Sequence, residues 1–569
     1  MTRALKPRLA LASRFLSLCY CPFTLFPYSM KTFFRFTILG FALLSLTACG
    51  KRETKVEAGN RTQSIHIGNL GEPNDLDPHI PDSQNSAAVV MAFFEGLTQY
   101  DPKTSQPVPA VAERWEVAAD NLTWTFHLRP NAKWSNGDPV TAGDFVFAFQ
   151  RMLSPKLGAE YTYMLFALKN GEAFNTGKIT DPALIGARAA DAHTLVLTLA
   201  HPVPYLPSML CHTSWYPLHR ATIEKFGAWD QRGTAWTRPG NLVGNGYFTL
   251  TEWKPNQYVR GTKSATYWDR AAVKLNEVFF YPIESEDAEE RTFRSGQLHV
   301  TNTIPISKIA VYRKEHPELF HPELFLGTYA YRFNVTRPPF NDVRVRRALA
   351  MAINREQIVR DVSRGYQVAA GHFSPPGIAG FTAQAQVPYD LAAAQKLLAE
   401  AGFPGGAGFP KVEVLINTNE GHRLIAEAIQ QMWRKGLGIE VGVYNQESKV
   451  WATSMRSLNY DIARYAWIGD YLDPSTFLDI MASDSGNNQT GWKNAEYDRL
   501  LDAAKTTADP AQRYTYFQRC EAILAEECPI APIYFYSRNN LRLTSVKGWY
   551  GNLLDFHPLK GVTLEADAK

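Results

Sequence analysis

Apolar and polar residues alternate with period two at several points along this chain, which marks strands. Ser64-Ile65-His66-Ile67-Gly68 alternates in this way. Thr123-Trp124-Thr125-Phe126-His127-Leu128 does too, placing Trp124, Phe126 and Leu128 on one face. Residues 411–417 (KVEVLIN) and 439–445 (IEVGVYN) read as further strands. From Tyr460 to Ile468 the alternation puts Ile462, Arg464, Ala466 and Ile468 on one side. Helical stretches with defined ends stand between the strands. Thr141-Ala142-Gly143-Asp144 has capping-box spacing and opens a helix through Met152. Asn341 or Asp342 can cap a helix over 343–353, and Asp390 caps one over 391–401 that stops at Gly402. A third helix, 423–435, ends at Gly436. This rhythm of strands and helices predicts α/β lobes. Residues 50–62 (GKRETKVEAGNRT) are polar and predict a tether ahead of the first strand.

The chain has 569 residues, 45% of them hydrophobic and 20% charged, a composition that folds. That length predicts about three or four domain-sized units. The formal charge of +4 hides an asymmetry, because six basic residues and no acid fall in the first 48 positions. The remaining chain carries 53 basic and 55 acidic residues. The basicity therefore belongs to a leader and is no nucleic-acid footprint.

That leader, residues 31–49, reads KTFFRFTILGFALLSLTAC. A short cationic start, an apolar run too short to span a bilayer comfortably, and small residues at its end read as a secretory signal. Leu46-Thr47-Ala48-Cys49 resembles a bacterial lipobox, which implies diacylglycerol on Cys49. Residues 1–48 are thus expected to be removed, with the true start at Met30. Cys211, Cys520 and Cys528 remain in the processed chain, outside any metal-type spacing. Cys520 and Cys528 fall on one predicted helix, about 12 Å apart by helical rise and beyond disulfide reach. The sequence holds no H-E-x-x-H, G-x-S-x-G or G-x-x-x-x-G-K-[ST], and its 13 His are scattered. The acidic pairs Glu289-Glu290 and Glu526-Glu527 read as solvated helix faces. No enzyme activity, metal or cofactor is expected.

Five stretches in order carry a family resemblance. They are Thr123–Met152 (TWTFHLRPNAKWSNGDPVTAGDFVFAFQRM), Ala265–Asp269 (ATYWD), Phe340–Ile353 (FNDVRVRRALAMAI), Leu391–Phe403 (LAAAQKLLAEAGF) and Tyr460–Pro474 (YDIARYAWIGDYLDP). Together they resemble the extracytoplasmic peptide-binding proteins of ABC importers, the oligopeptide-binding (OppA-like) group of solute-binding protein family 5. The resemblance implies a two-lobed periplasmic-binding-protein-like α/β fold (type II, cluster C) with an extra inserted domain. Residues 64–96, 221–326 and 536–569 would form lobe I, 97–220 the extra domain and 327–535 the opposing lobe. Residues 49–63 would be the lipidated Cys and tether. The crossings between lobes would fall near 328–334 and 530–538.

It also implies a function. Such a protein captures short peptides between closing lobes and delivers them to permease and ATPase subunits, as a monomer anchored at the extracytoplasmic (periplasmic) face of a membrane. Relatives of this architecture take dipeptides, murein peptides, nickel chelates, haem or oligosaccharides, and a surface peptide sensor without transport is a further alternative. Within the resemblance, Asp470 matches an Asp that pairs with the peptide α-ammonium. Gly469, which precedes it, and Ala466 on the strand before it are further ligand-binding candidates, and Trp467 and Tyr161 match aromatics that line the cleft. Arg464 and His422 match positions that meet the ligand carboxylate, and Arg456 is offset by one position from another such cation. Ser448 stands where the family can carry a pocket Trp. The family disulfide joining the Gly327 and Ile468 positions is absent.

Overall fold

The computed structural model describes residues 53–80 and 84–565. The leader, the start at Met30 and the lipid site at Cys49 lie outside the described residues.

Three sheets organise the chain. In the first, Ser64–Gly68 pairs in parallel with Glu277–Tyr281, followed by antiparallel Tyr258–Lys263 and Phe248–Lys254. The second is antiparallel, in the order Ala112–Val117, Thr123–Leu128, Thr194–Thr198, Ala187–Asp191. As the alternation predicts, Trp124, Phe126 and Leu128 are buried. One apolar core serves both sheets, running from Ile65 and Phe93 through Phe126, Trp134 and Phe149 to Val278. The second sheet is therefore an inserted domain fused to the first lobe by shared packing.

The third sheet forms the opposing lobe. Its order is Val368–Ala369, Ile530–Leu541, Phe320–Phe333, Ile462–Ile468, Val412–Asn417, Val441–Gln446. Successive residues of a strand point to opposite faces, and here each face has its own core. Tyr329, Tyr331, Phe333, Val414, Ile416 and Ile462 pack on one side with Leu349 and Trp433. Ala330, Leu415 and Ala463 pack on the other with Phe477, Tyr497 and Phe517. Helices thus cover both faces of the sheet.

Two long strands join the lobes. Phe320 and Leu541, paired with each other, pack with Phe293, Leu298 and Ile309 of the first lobe. Farther along the same strands, Tyr329 and Tyr534 sit in the core of the opposing lobe. The ladder slips between Leu324 and Thr328, a bulge midway along the crossing. Gly327 lies in that slip and pairs with Ile468. Ile468 fills the space there, since a Cβ on Gly327 would come within 2.5 Å of its Cδ1.

Three expectations need correction. Residues 55–62, read as part of a tether, form the helix Lys55–Thr62. Thr54 and Glu57 close a reciprocal capping box on it, and Val56, Gly59 and Asn60 are buried. The helix predicted over 423–435 runs from Glu420 to Leu437: Asn419 accepts from the His422 amide and caps its start, and Gly438 in the left-handed conformation, not Gly436, closes it. Glu289 and Glu290 are buried rather than solvated. Glu289 accepts the Asn302 and Thr303 amides and Glu290 the Tyr312 hydroxyl, so groups from outside the helix satisfy both. The three described cysteines are free and buried.

Candidate functional site

The strand Ile462–Ile468 ends at a turn whose geometry needs glycine. The Gly469 amide donates to Leu326 O (2.8 Å), and a Cβ on Gly469 would meet Leu326 Cδ2 at 2.7 Å and Phe477 Cε2 at 2.9 Å. Asp470 follows, its amide donating to Thr476 Oγ1 (3.0 Å). The loop is pinned three residues on. Asp473 takes a two-pronged hydrogen bond from buried Arg513 (2.7 and 3.0 Å) and accepts the Ser475 amide (3.1 Å).

From the inserted domain, the short helix Glu160–Ala167 brings Tyr161 and Tyr163 to this loop. Tyr163 Oη donates to Asp470 Oδ2 at 2.8 Å. Beside that bond, Tyr205 stacks on Tyr471 (ring centroids 5.2 Å apart, planes at 6°), and the Leu472 amide donates to Ser208 Oγ (3.3 Å). The lobes therefore touch at the Asp470 loop, and a cavity of about 750 Å³ lies between them. Tyr161, Trp467, Gly469 and Asp470 all line it, as do Asn85 and Met91 of the first lobe and Arg538 of the crossing strand. Tyr161 packs between Tyr163 and His212 (5.9 and 5.0 Å between centroids). Trp467 is fixed by donating Nε1 to Thr476 O (2.6 Å).

Burial pushes the Asp470 carboxyl up to about 6, and the hydrogen bond from Tyr163 opposes that rise only in part. A carboxylate taken from water and given a neutral donor instead of a cation is poised to receive one. Another part of the cavity wall is already balanced. There Asp555 pairs with Arg538 (3.0 Å) and His557 (3.1 Å). Burial resists ionisation of Asp555, but the His557 hydrogen bond and the Arg538 charge hold its carboxyl below the ordinary value. Glu323 joins Asp555 and His557 in a group close enough to grip a metal ion. Arg538 at Asp555 and Arg542 at 3.8 Å from Glu323 already supply the positive charge there.

The remaining predicted residues do not line the 750 Å³ cavity. Arg464 and His422 come together elsewhere, around Tyr329. Arg464 donates to Tyr536 Oη (3.0 Å) and lies over the Tyr329 ring (5.0 Å to its centroid), which the His422 ring also approaches (5.5 Å). Burial, with the Arg464 charge, pushes the His422 imidazole down to about 3, so it is neutral. Ala466 pairs with Tyr329 in the sheet. Arg456 ends the helix Ser448–Arg456 and is exposed; Ser448 opens that helix, and its side chain lies outside the described residues. Tyr163 went unnoticed in the sequence. Its one clue is its place two residues after Tyr161, and its partner is 307 residues away.

This architecture, with a ligand-sized cavity between an α/β lobe pair, defines a solute-binding protein. The model for bacterial extracellular solute-binding proteins, family 5, matches residues 106–489, and the chain belongs to that family. It is 36% identical over 508 residues to the periplasmic oligopeptide-binding protein OppA of Escherichia coli K12, covering 87% of this chain and 91% of that protein. Among solved structures, the unliganded open form of the periplasmic murein tripeptide-binding protein MppA matches with a TM-score of 0.77 at 35% identity. It covers 88% of this chain and 97% of its own. Haemophilus influenzae OppA in complex with RPPGFSPFR matches with a TM-score of 0.74 at 34% identity, covering 88% and 99%.

Proposed function

We propose that this protein captures short peptides with a free α-amine between its lobes and hands them to an ABC importer. The observation that carries this reading is Asp470. It is a largely buried acid facing a 750 Å³ cavity, with a neutral tyrosine hydroxyl where a cation would fit. The names of the relatives support the ligand class, since they bind an oligopeptide, a murein tripeptide and the peptide RPPGFSPFR. A peptide ammonium brought into a closed cleft needs an opposing charge, and Asp470 supplies it. Trp467 and Tyr161 offer apolar faces to ligand side chains. Arg464 and His422, with Tyr536, form a separate cationic and aromatic cluster for the carboxylate of a ligand long enough to reach it.

In this reading lobe I (64–96, 221–326, 536–569) and the insert (97–220) close on the lobe 327–535, with the bulge near Gly327 taking up the motion. Contacts made only when closed, such as those of the Asp470 loop, shift the population toward the closed form. Lipidation at Cys49 would hold the protein at the outer face of a membrane within reach of its permease. Calorimetric titration with Ala-Ala-Ala and its N-acetylated form tests the reading. The free peptide is expected to bind and the acetylated one to lose on the order of a hundredfold or more; equal affinities overturn it.

A further inference from the structure

A second cavity of about 350 Å³ lies behind the Asp470 loop and shares Tyr163, Trp467 and Asp470 with the main one. Its wall also carries Asp479, on the short turn Asp479–Met481. Asp479 Oδ1 is buried and meets no hydrogen-bond donor among the described residues. Neither nearby cation hydrogen-bonds that oxygen. Arg513 is committed to Asp473 through both prongs, and Lys505, which lines the same cavity, sits 3.8 Å from Asp502. A carboxylate oxygen buried without a donor is costly, and such atoms in native proteins call for an explanation. Burial raises the Asp479 carboxyl to about 6, with Lys505 opposing in part.

We propose that this side cavity is a second cation subsite, which takes a flexible primary ammonium side chain on the first residue of the ligand. This rests on the reading of Asp470 as the α-ammonium acceptor. With the α-ammonium on Asp470, a lysine-like chain runs past Tyr163 and ends against Asp479. Tyr163 can yield, since it is 43% exposed and, among the described residues, its side-chain hydrogen bond is the one to Asp470. The methylenes of such a chain have Trp467 and the Tyr471 ring to pack on, and its ammonium replaces the missing donor at Oδ1.

The test is calorimetric titration of Lys-Ala-Ala, norleucine-Ala-Ala and Ala-Ala-Ala into the wild type and Asp479→Asn. Norleucine keeps the carbon chain and drops the charge. Asparagine is isosteric and removes an unpartnered buried charge, so the variant keeps its fold. The wild type is expected to favour lysine over norleucine on the order of tenfold. Asp479→Asn is expected to erase that preference and leave norleucine-Ala-Ala binding as it was. A preference that survives in Asp479→Asn overturns the subsite. Equal binding of all three peptides by the wild type removes the subsite alone. Failure of all three to bind removes the Asp470 reading and the subsite with it.

Discussion

Asp470 and Asp473 stand on one loop, three residues apart, and differ in what they face. Asp473 is 3% exposed and gripped by an equally buried guanidinium, Arg513, on two hydrogen bonds. Asp470 looks into a cavity and holds a neutral tyrosine hydroxyl. The first is a saturated structural pair. The second is an acid with no cation paired to it among the described residues. The difference teaches how one loop is both rigid and receptive: the pinned acid fixes the geometry that keeps its neighbour aimed into the cleft. A comparable pinned pair, Asp77 with Arg151, joins the first lobe to the insert (2.6 and 3.1 Å).

The comparison breaks first at Asp473. Asp473→Ala leaves Arg513 buried and uncompensated and is expected to cost about 3–5 kcal/mol of stability, read from urea denaturation. Asp470→Asn is expected to do the reverse. It strips a cationic ligand of its partner, lowering affinity for free-amine tripeptides by about 2–5 kcal/mol, roughly 30- to 4,000-fold, in calorimetry. Yet it does not lower the denaturation midpoint at pH 7 and above. The sign follows from the raised carboxyl. From about pH 4 to 6 the folded state holds a proton the unfolded state has released, so stability falls as pH rises through that window and the penalty is complete above it. Asparagine carries no such penalty. By the same linkage, wild-type affinity for an ammonium ligand is expected to fall as pH drops below about 6 and Asp470 takes up a proton. The smallest effect is at Tyr163. Tyr163→Phe removes one hydrogen bond to the charged form, worth about 1.5–3 kcal/mol. It is expected to move the Asp470 titration midpoint upward in carboxyl-detected NMR.

Local pattern revealed much of this. The strand at Thr123–Leu128, the Thr141 cap and the acid following the Ile462–Ile468 strand all rest on neighbours in sequence. The helix Lys55–Thr62 was within reach as well, since Thr54 and Glu57 have capping-box spacing; its polar composition masked it, with Val56 the one large apolar residue it buries. Glu289 and Glu290 were not readable, because the amides of Asn302 and Thr303 and the Tyr312 hydroxyl that justify their burial arrive from another segment.

The alternation of strands and helices, the helix caps and the acid at position 470 are local properties of the chain, because hydrophobic period and capping chemistry act over a few residues. Tertiary packing sets Tyr163 against Asp470, gathers Arg464 and His422 around Tyr329 away from the main cavity, and leaves Asp479 Oδ1 without a hydrogen-bond donor among the described residues. Those outcomes depend on which surfaces two lobes bring together across hundreds of residues, and no local pattern encodes the dielectric or the partner that a charge meets there.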